Sequence, residues 1–271
     1  MSILNTGVNQ RIFGTWPLQG AEAQNAVEQA IDVGYRSIDT AQMYENEQSV
    51  GAAIAASGIP RDQLCITTKV RPDNFSETTF LPSVEASIKA LGGVPDLLLL
   101  HWPELGGDVT VSLKLLQAAH DKGMALNIGI SNYTIAQMET ALSVLEAPIA
   151  TNQVEMHPLI NQSILIEAAS RMGIPLASYC SVAKGRIFDQ PELVEIGAEY
   201  GKSAAQVSLR WLLQKGVTPL VMSTKPANMA ANFDVMDFAL SNVHMAQIEA
   251  LAARVHSRIV ANFTWAPNWD A

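Results

Sequence analysis

The chain predicts a single (β/α)8 barrel spanning residues 1–271, and three observations carry that reading. Short apolar or β-branched runs alternate with helical spacing eight times. No change of composition or Pro/Ser/Gly-rich linker divides the chain. Most of the strand-like runs end in polar or ionisable residues, and a barrel of this kind gathers its strand C-termini around one mouth, where its chemistry is done.

Residues 11–15 make a first strand closed by Trp16-Pro17, and Ala26, Ala30 and Val33 give 21–33 a helical face. The second strand, Tyr35 to Ile38, runs out into Asp39-Thr40, and Tyr44 follows on the loop ahead of a helix at 47–56. Gly58-Ile59-Pro60 breaks that helix, and strand three, 64–69, ends in Lys69. Leu81, Val84, Ile88 and Leu91 mark the next helix, while the leucine run within 95–101 suits a parallel strand buried on both faces and ends in His101. A helix at 111–122 leads to strand five, 125–130, with Ser131-Asn132 at its end and a capping box at Thr134 and Gln137 opening the following helix. Strand six, 148–155, carries Gln153; a helix at 163–172 precedes strand seven, 174–179, which ends in Tyr179. A longer connection, 180–190, leads to a helix at 192–200, and Ser203 with Gln206 caps another through Leu209 and Leu212. Strand eight at 217–222, helices at 227–234 and 245–254, and a tail rich in Trp and Pro complete the chain.

The composition excludes several classes. A net charge of -9 without any basic run argues against nucleic acid. No apolar run is long enough for a membrane span and no leader pattern opens the chain, so a cytoplasmic monomer without a membrane partner is expected. Cys65 and Cys180 read as reduced and buried, and His120, His157, His244 and His256 lack paired ligand spacing, so no metal is expected. No two glycines are separated by one residue, which removes the GxGxxG fingerprint; Gly201-Lys202-Ser203 reads as helix end, loop and N-cap.

The convergent strand ends define a chemistry. Lys69 beside Asp39 stays protonated, and its ammonium near Tyr44 is expected to draw the phenol below its ordinary value of about 10, making a general acid for a carbonyl oxygen. His101 can orient that oxygen, with Trp16 and Trp102 as apolar walls. No side chain supplies hydride, so a nicotinamide is implied, with Tyr179 as a stacking ring and Ser131, Asn132 and Gln153 as partners for its carboxamide. Two rivals exist: a Schiff-base lyase or aldolase with Lys69 as nucleophile, which Asp39 disfavours by keeping the amine charged, and a non-catalytic nucleotide-sensing protein.

Five runs then add a resemblance. Gly34-Tyr35-Arg36-Ser37-Ile38-Asp39-Thr40-Ala41, Ile66-Thr67-Thr68-Lys69, Leu100-His101-Trp102-Pro103, Gly129-Ile130-Ser131-Asn132-Tyr133 and Asn152-Gln153-Val154-Glu155-Met156-His157-Pro158 make the chain resemble the aldo-keto reductases over essentially its whole length. The likeness is to the short bacterial branch that includes 2,5-diketo-D-gluconate and methylglyoxal reductases. It implies Asp39, Tyr44, Lys69 and His101 as the catalytic set, and Ser131, Asn132, Gln153 and Tyr179 as nicotinamide contacts. It extends the cofactor contacts to Gly14, Thr15, Ser181, Lys184, Ser223, Thr224, Lys225, Asn228 and Asn232.

Two departures stand out. After strand eight, Met222 and Asn228 replace the Lys and Arg with which many relatives grip the adenosine 2′-phosphate, so NADPH is expected with NADH also admissible. After Tyr179, Cys180-Ser181-Val182 replaces the usual Ser-Pro-Leu, with Lys184 as a new pyrophosphate contact. Trp265 and Trp269 in the tail are expected to line an open mouth suited to small aldehydes, dicarbonyls or keto-sugars.

Overall fold

A computed structural model describes residues 3–5, 10–261 and 263–270. Its strands are β1 (Ile12–Gly14), β2 (Ser37–Asp39), β3 (Cys65–Val70), β4 (Leu97–Leu100), β5 (Asn127–Ser131), β6 (Ile149–Glu155), β7 (Leu176–Tyr179) and β8 (Val217–Val221). All pair in parallel with their sequence neighbours, and β8 pairs with β1, so the sheet closes into an eight-stranded barrel as the alternation predicts.

Helices α1 (Gly20–Val33), α2 (Glu47–Ala56), α3 (Phe80–Leu91), α4 (Thr110–Asp121), α5 (Ile135–Val144), α6 (Ser163–Met172), α7 (Pro191–Tyr200), α8 (Ala204–Gln214), α9 (Pro226–Phe233) and α10 (Asn242–Val255) are the helices that surround it. Both capping boxes form: the Thr134 and Ser203 side chains accept from the backbone of Gln137 and Gln206, and each Gln returns a bond to its cap residue. Two details were not legible from periodicity. The connection after β7 carries a 3-10 helix, Ala183–Asp189, broken by left-handed Lys184 and Gly185, and α10 begins earlier than its apolar spacing suggests because Ser241 caps it.

The core follows from strand alternation. Ile12, Cys65, Leu97, Leu99, Ala150 and Ala177 fill the barrel interior, and Leu4 of a short N-terminal 3-10 turn, Ile3–Asn5, packs against them. Residues of opposite parity, such as Phe13, Ile38, Ile66, Leu98 and Leu100, pack outward against the helices. Parity therefore decides which side chains near the strand ends face inward, and this positions the site. Among the described residues no helix is long and apolar enough to cross a membrane.

Candidate active site

The strand registers bring the predicted groups to one mouth. Asp39 ends β2 opposite Gly14 and Thr67, and Lys69, two residues beyond Thr67 on the same face of β3, reaches back over it. The Lys69 ammonium donates to Asp39 Oδ1, to the Thr40 carbonyl at 3.0 Å and to the Tyr44 hydroxyl at 3.4 Å, which uses all three of its protons. The second Asp39 oxygen accepts from Gln153 Nε2 at 2.8 Å, so the carboxylate links β2, β3 and β6.

Tyr44 ends a short 3-10 turn, Gln42–Tyr44, that Asn46 anchors: its amide donates to the Thr15 and Leu18 carbonyls while its oxygen accepts from Thr40. Lys69 is the only hydrogen-bond partner of the Tyr44 hydroxyl among the described residues, which leaves the phenol proton without a protein acceptor. His101 lies edge-on to the Tyr44 ring at 5.4 Å, and its Nδ1 has no partner among the described residues.

Electrostatics correct one expectation. The Tyr44 phenol lies well above its ordinary value, because burial disfavours the phenolate and the nearby Asp39 and Cys180 groups add to the effect. The Lys69 ammonium does not reverse this, since Asp39 balances its charge at contact distance. Burial also draws Lys69 down, with Asp39 and Glu47 opposing, and holds His101 well below the usual imidazole value, with the Lys69 charge as the second cause. The site therefore presents a protonated phenol beside a neutral imidazole.

These groups open into a cavity of about 550 Å³. Asp39, Tyr44 and His101 line it, as do eight of the expected cofactor residues: Gly14, Thr15, Ser131, Asn132, Gln153, Tyr179, Ser181 and Lys184. Several of these are bonded to one another: Ser131 Oγ donates to the Gln153 carbonyl at 2.7 Å, Asn132 Nδ2 donates to the His101 carbonyl at 3.1 Å, and the Tyr179 hydroxyl donates to Asn132 Oδ1 at 2.7 Å. A Cβ on Gly14 would meet Leu220 Cδ2 at 2.4 Å, so its missing side chain makes room for a neighbouring wall residue.

The remaining expected cofactor residues stand apart from the cavity. Ser223, Thr224, Lys225 and Asn228 gather at the start of α9, with Thr224, Lys225 and Asn228 exposed, while Asn232 is buried on the inner side of that helix. Met222, at the position of the expected cation, lines the cavity.

The walls need further corrections. Trp16 and Trp102 line the cavity, and Lys184 lies 5.2 Å from the Trp16 ring centre. Trp265 and Trp269 do not: Trp265 packs on Phe263, and Trp269 lies against Trp102 with the Arg258 guanidinium 3.8 Å over its ring. The tail contributes Val260 and Phe263 instead, an irregular segment whose lining residues no periodicity marks. Cys180 is half-buried on the cavity wall, not enclosed; its thiol is pushed up to about 12 by burial and by Glu155, and it is uncrosslinked, as is Cys65.

Comparison with known proteins agrees with this geometry. Residues 10–253 match the model of the aldo/keto reductase family. The chain is 40% identical to methylglyoxal reductase DkgB of Yersinia pestis, covering 95% of this chain and 97% of that protein. It is 40% identical to aldo-keto reductase Rv2971 of Mycobacterium tuberculosis, over 86% of this chain and 83% of the other. A crystal structure described as a 2,5-diketo-D-gluconic acid reductase B superposes with a TM-score of 0.94 at 42% identity, covering 100% of this chain and 97% of that one. With a closed parallel barrel, a buried Asp39–Lys69 pair at its mouth and a family match over nearly its full length, the chain belongs to the aldo/keto reductase family and is an oxidoreductase of carbonyl compounds.

Proposed function

We propose that this protein reduces small aldehydes, dicarbonyls or keto-sugars to alcohols with NADPH, with Tyr44 as the proton donor. The observation that carries the reading is the cavity-facing phenol hydrogen-bonded to the Lys69 ammonium, itself held by Asp39. The donor set fits a nicotinamide: Ser131, Asn132 and Gln153 offer both donors and acceptors to a carboxamide, and Tyr179 offers a ring beside them. When bound, that cofactor supplies the hydride.

The protein's own groups then handle the oxygen. Tyr44 holds its proton at neutral pH because its phenolate is disfavoured, and gives it to the carbonyl oxygen as negative charge develops there. The phenolate left behind faces the Lys69 ammonium, which limits the cost of that transfer. His101, neutral and beside the Tyr44 ring, orients the substrate oxygen, and the apolar faces of Trp16, Trp102, Val260 and Phe263 exclude water. A nucleophilic role for Lys69 is disfavoured, since three acceptors hold it as an ammonium.

NADPH is favoured by Lys225, Ser223 and Thr224 at the start of α9, and NADH remains admissible because Met222 and Asn228 supply no charge there. The relatives' names make methylglyoxal and 2,5-diketo-D-gluconate the first substrates to try. The test is oxidation of NADPH and NADH against a panel of these and simpler aldehydes. Turnover of small dicarbonyls, faster at limiting NADPH than NADH, is expected. No turnover with any of them, together with borohydride trapping of a carbonyl adduct on Lys69, would overturn the reading.

A further inference from the structure

The run Gln153-Val154-Glu155-Met156-His157 places Glu155 on the same face of β6 as Gln153, one step further out. Gln153 binds the Asp39 carboxylate, whereas Glu155 has no part in the proton chemistry and yet is completely buried. A buried carboxylate persists only when its oxygens are satisfied, so its partners define its purpose. Three donors converge on it. His157 Nε2 lies 3.0 Å from Oε1, the Ile259 amide donates to Oε1 at 2.5 Å, and the Val260 amide donates to Oε2 at 2.8 Å.

His157 is oriented for this task. Its Nδ1 accepts from the Leu159 amide at 3.2 Å, which puts the ring proton on Nε2, facing the carboxylate. Burial raises the Glu155 carboxyl, but the His157 bond and the two tail amides outweigh it and hold the group below its usual range, so it is ionised at neutral pH.

The two amides belong to the tail after α10, the segment that reaches over the mouth. Its contacts with the barrel include Ser257 N–H to the Leu159 carbonyl at 2.7 Å, the Glu155 pair, Ile259 packed on the core, Phe263 and Trp269 against Trp102, and Asp270 accepting from the Ile135 amide at 3.0 Å. Val260, directly bonded, and Phe263, three residues on, are the described tail residues on the cavity wall.

We propose that Glu155 is a positioning residue for the carbonyl substrate: its carboxylate latches the Ile259–Val260 backbone and thereby sets Val260 and Phe263 against the reacting end of the cavity. His157 holds the latch in its ionised, correctly turned form. The ligand concerned is the apolar part of the substrate beyond its carbonyl group, since the described tail residues on the wall, Val260 and Phe263, present hydrocarbon and aromatic surface there. This assignment rests on the carbonyl-reductase reading, and its test separates the two.

Glu155→Gln keeps the shape but turns an NH2 toward at least one of the converging donors. Expected for this variant is a rise in substrate KM of about tenfold with kcat within about twofold and cofactor Kd unchanged, because a uniform binding contribution is lost and proton transfer is not. Hydrogen exchange at the amides of residues 257–260 should speed up by about tenfold as the latch opens. In a Phe263→Ala background, the same substitution should raise KM less than it does alone, because one of the two wall residues it positions is gone. Should Glu155→Gln fail to fold, Ile259→Pro removes one latch donor from the tail alone and should give the same KM rise.

Wild-type KM and unchanged exchange at 257–260 in these variants would overturn the latch, as would losses of kcat and of cofactor affinity as large as the rise in KM. An absence of reductase activity in the wild-type protein would strike the functional reading instead, while the exchange measurement would still decide the latch.

Discussion

The two sides of the barrel mouth are built to different standards. On the β2–β4 side, Asp39, Lys69 and His101 are buried, and the Asp39–Lys69 pair is tied to Thr40, Tyr44 and Gln153. On the β8–α9 side, Thr224, Lys225 and Asn228 are exposed, and the Ser223 side chain bonds locally, accepting from the Lys225 amide at 3.1 Å and donating to the Lys225 carbonyl at 3.5 Å. Proton transfer depends on groups already in place and dry, so a substitution there disturbs chemistry and fold together. On the proposed reading, grip on the distal end of a cofactor can be exchanged one side chain at a time, so Met222 and Asn228 at the positions expected to hold cations would leave the barrel undisturbed.

The largest effect that would test this contrast is expected at Lys69. Lys69→Met strands the Asp39 carboxylate without its ion-pair partner, so stability should fall by about 3–5 kcal/mol, read as a shift in the urea midpoint. Turnover should fall about 10³-fold in the same protein. A variant that loses turnover with an unchanged midpoint would break the claim that chemistry and fold are joined on this side.

A second expectation concerns pH. In the proposed mechanism Tyr44 acts as the phenol, and its raised value means that it loses the proton only above its ordinary range near 10. His101 acts there as the neutral imidazole, and its lowered value means that it becomes charged only below its ordinary range near 6.5. The kcat/KM of reduction should therefore be flat between those limits. A half-loss near pH 8 would mean that the Lys69 charge draws the phenol down more strongly than burial and Asp39 raise it.

The smallest effect belongs to the other side. Met222→Lys should tighten NADPH relative to NADH by about tenfold in binding titrations, the scale of one new charge-assisted contact, with stability changed by no more than about 0.5 kcal/mol. An unchanged ratio would mean that the 2′-phosphate is gripped elsewhere than the β8–α9 rim.

How much of this could be read from the residues follows the same division. Asp39, Lys69 and His101 were legible because each terminates a run whose strand character is plain, and barrel topology then brings them together. The direction of the Tyr44 shift was not, because it depends on how deeply the ring is buried and on Asp39 balancing the lysine charge, neither of which has a pattern in the text. The tail was harder still. Trp265 and Trp269 drew attention as large aromatics, yet they pack beside the wall that Val260 and Phe263 form, since an irregular segment has no period to say which side chain faces inward. Glu155 lies within a conspicuous run without a legible role, because two of its three partners are backbone amides more than one hundred residues away.

The central claim, that the Tyr44 phenol protonates the carbonyl oxygen, is tested most directly by measuring single-turnover reduction and NADPH binding in Tyr44→Phe. Loss of the reduction rate by about 10³-fold or more with NADPH affinity within about twofold of wild type is the predicted result. Reduction at a rate close to wild type would contradict it.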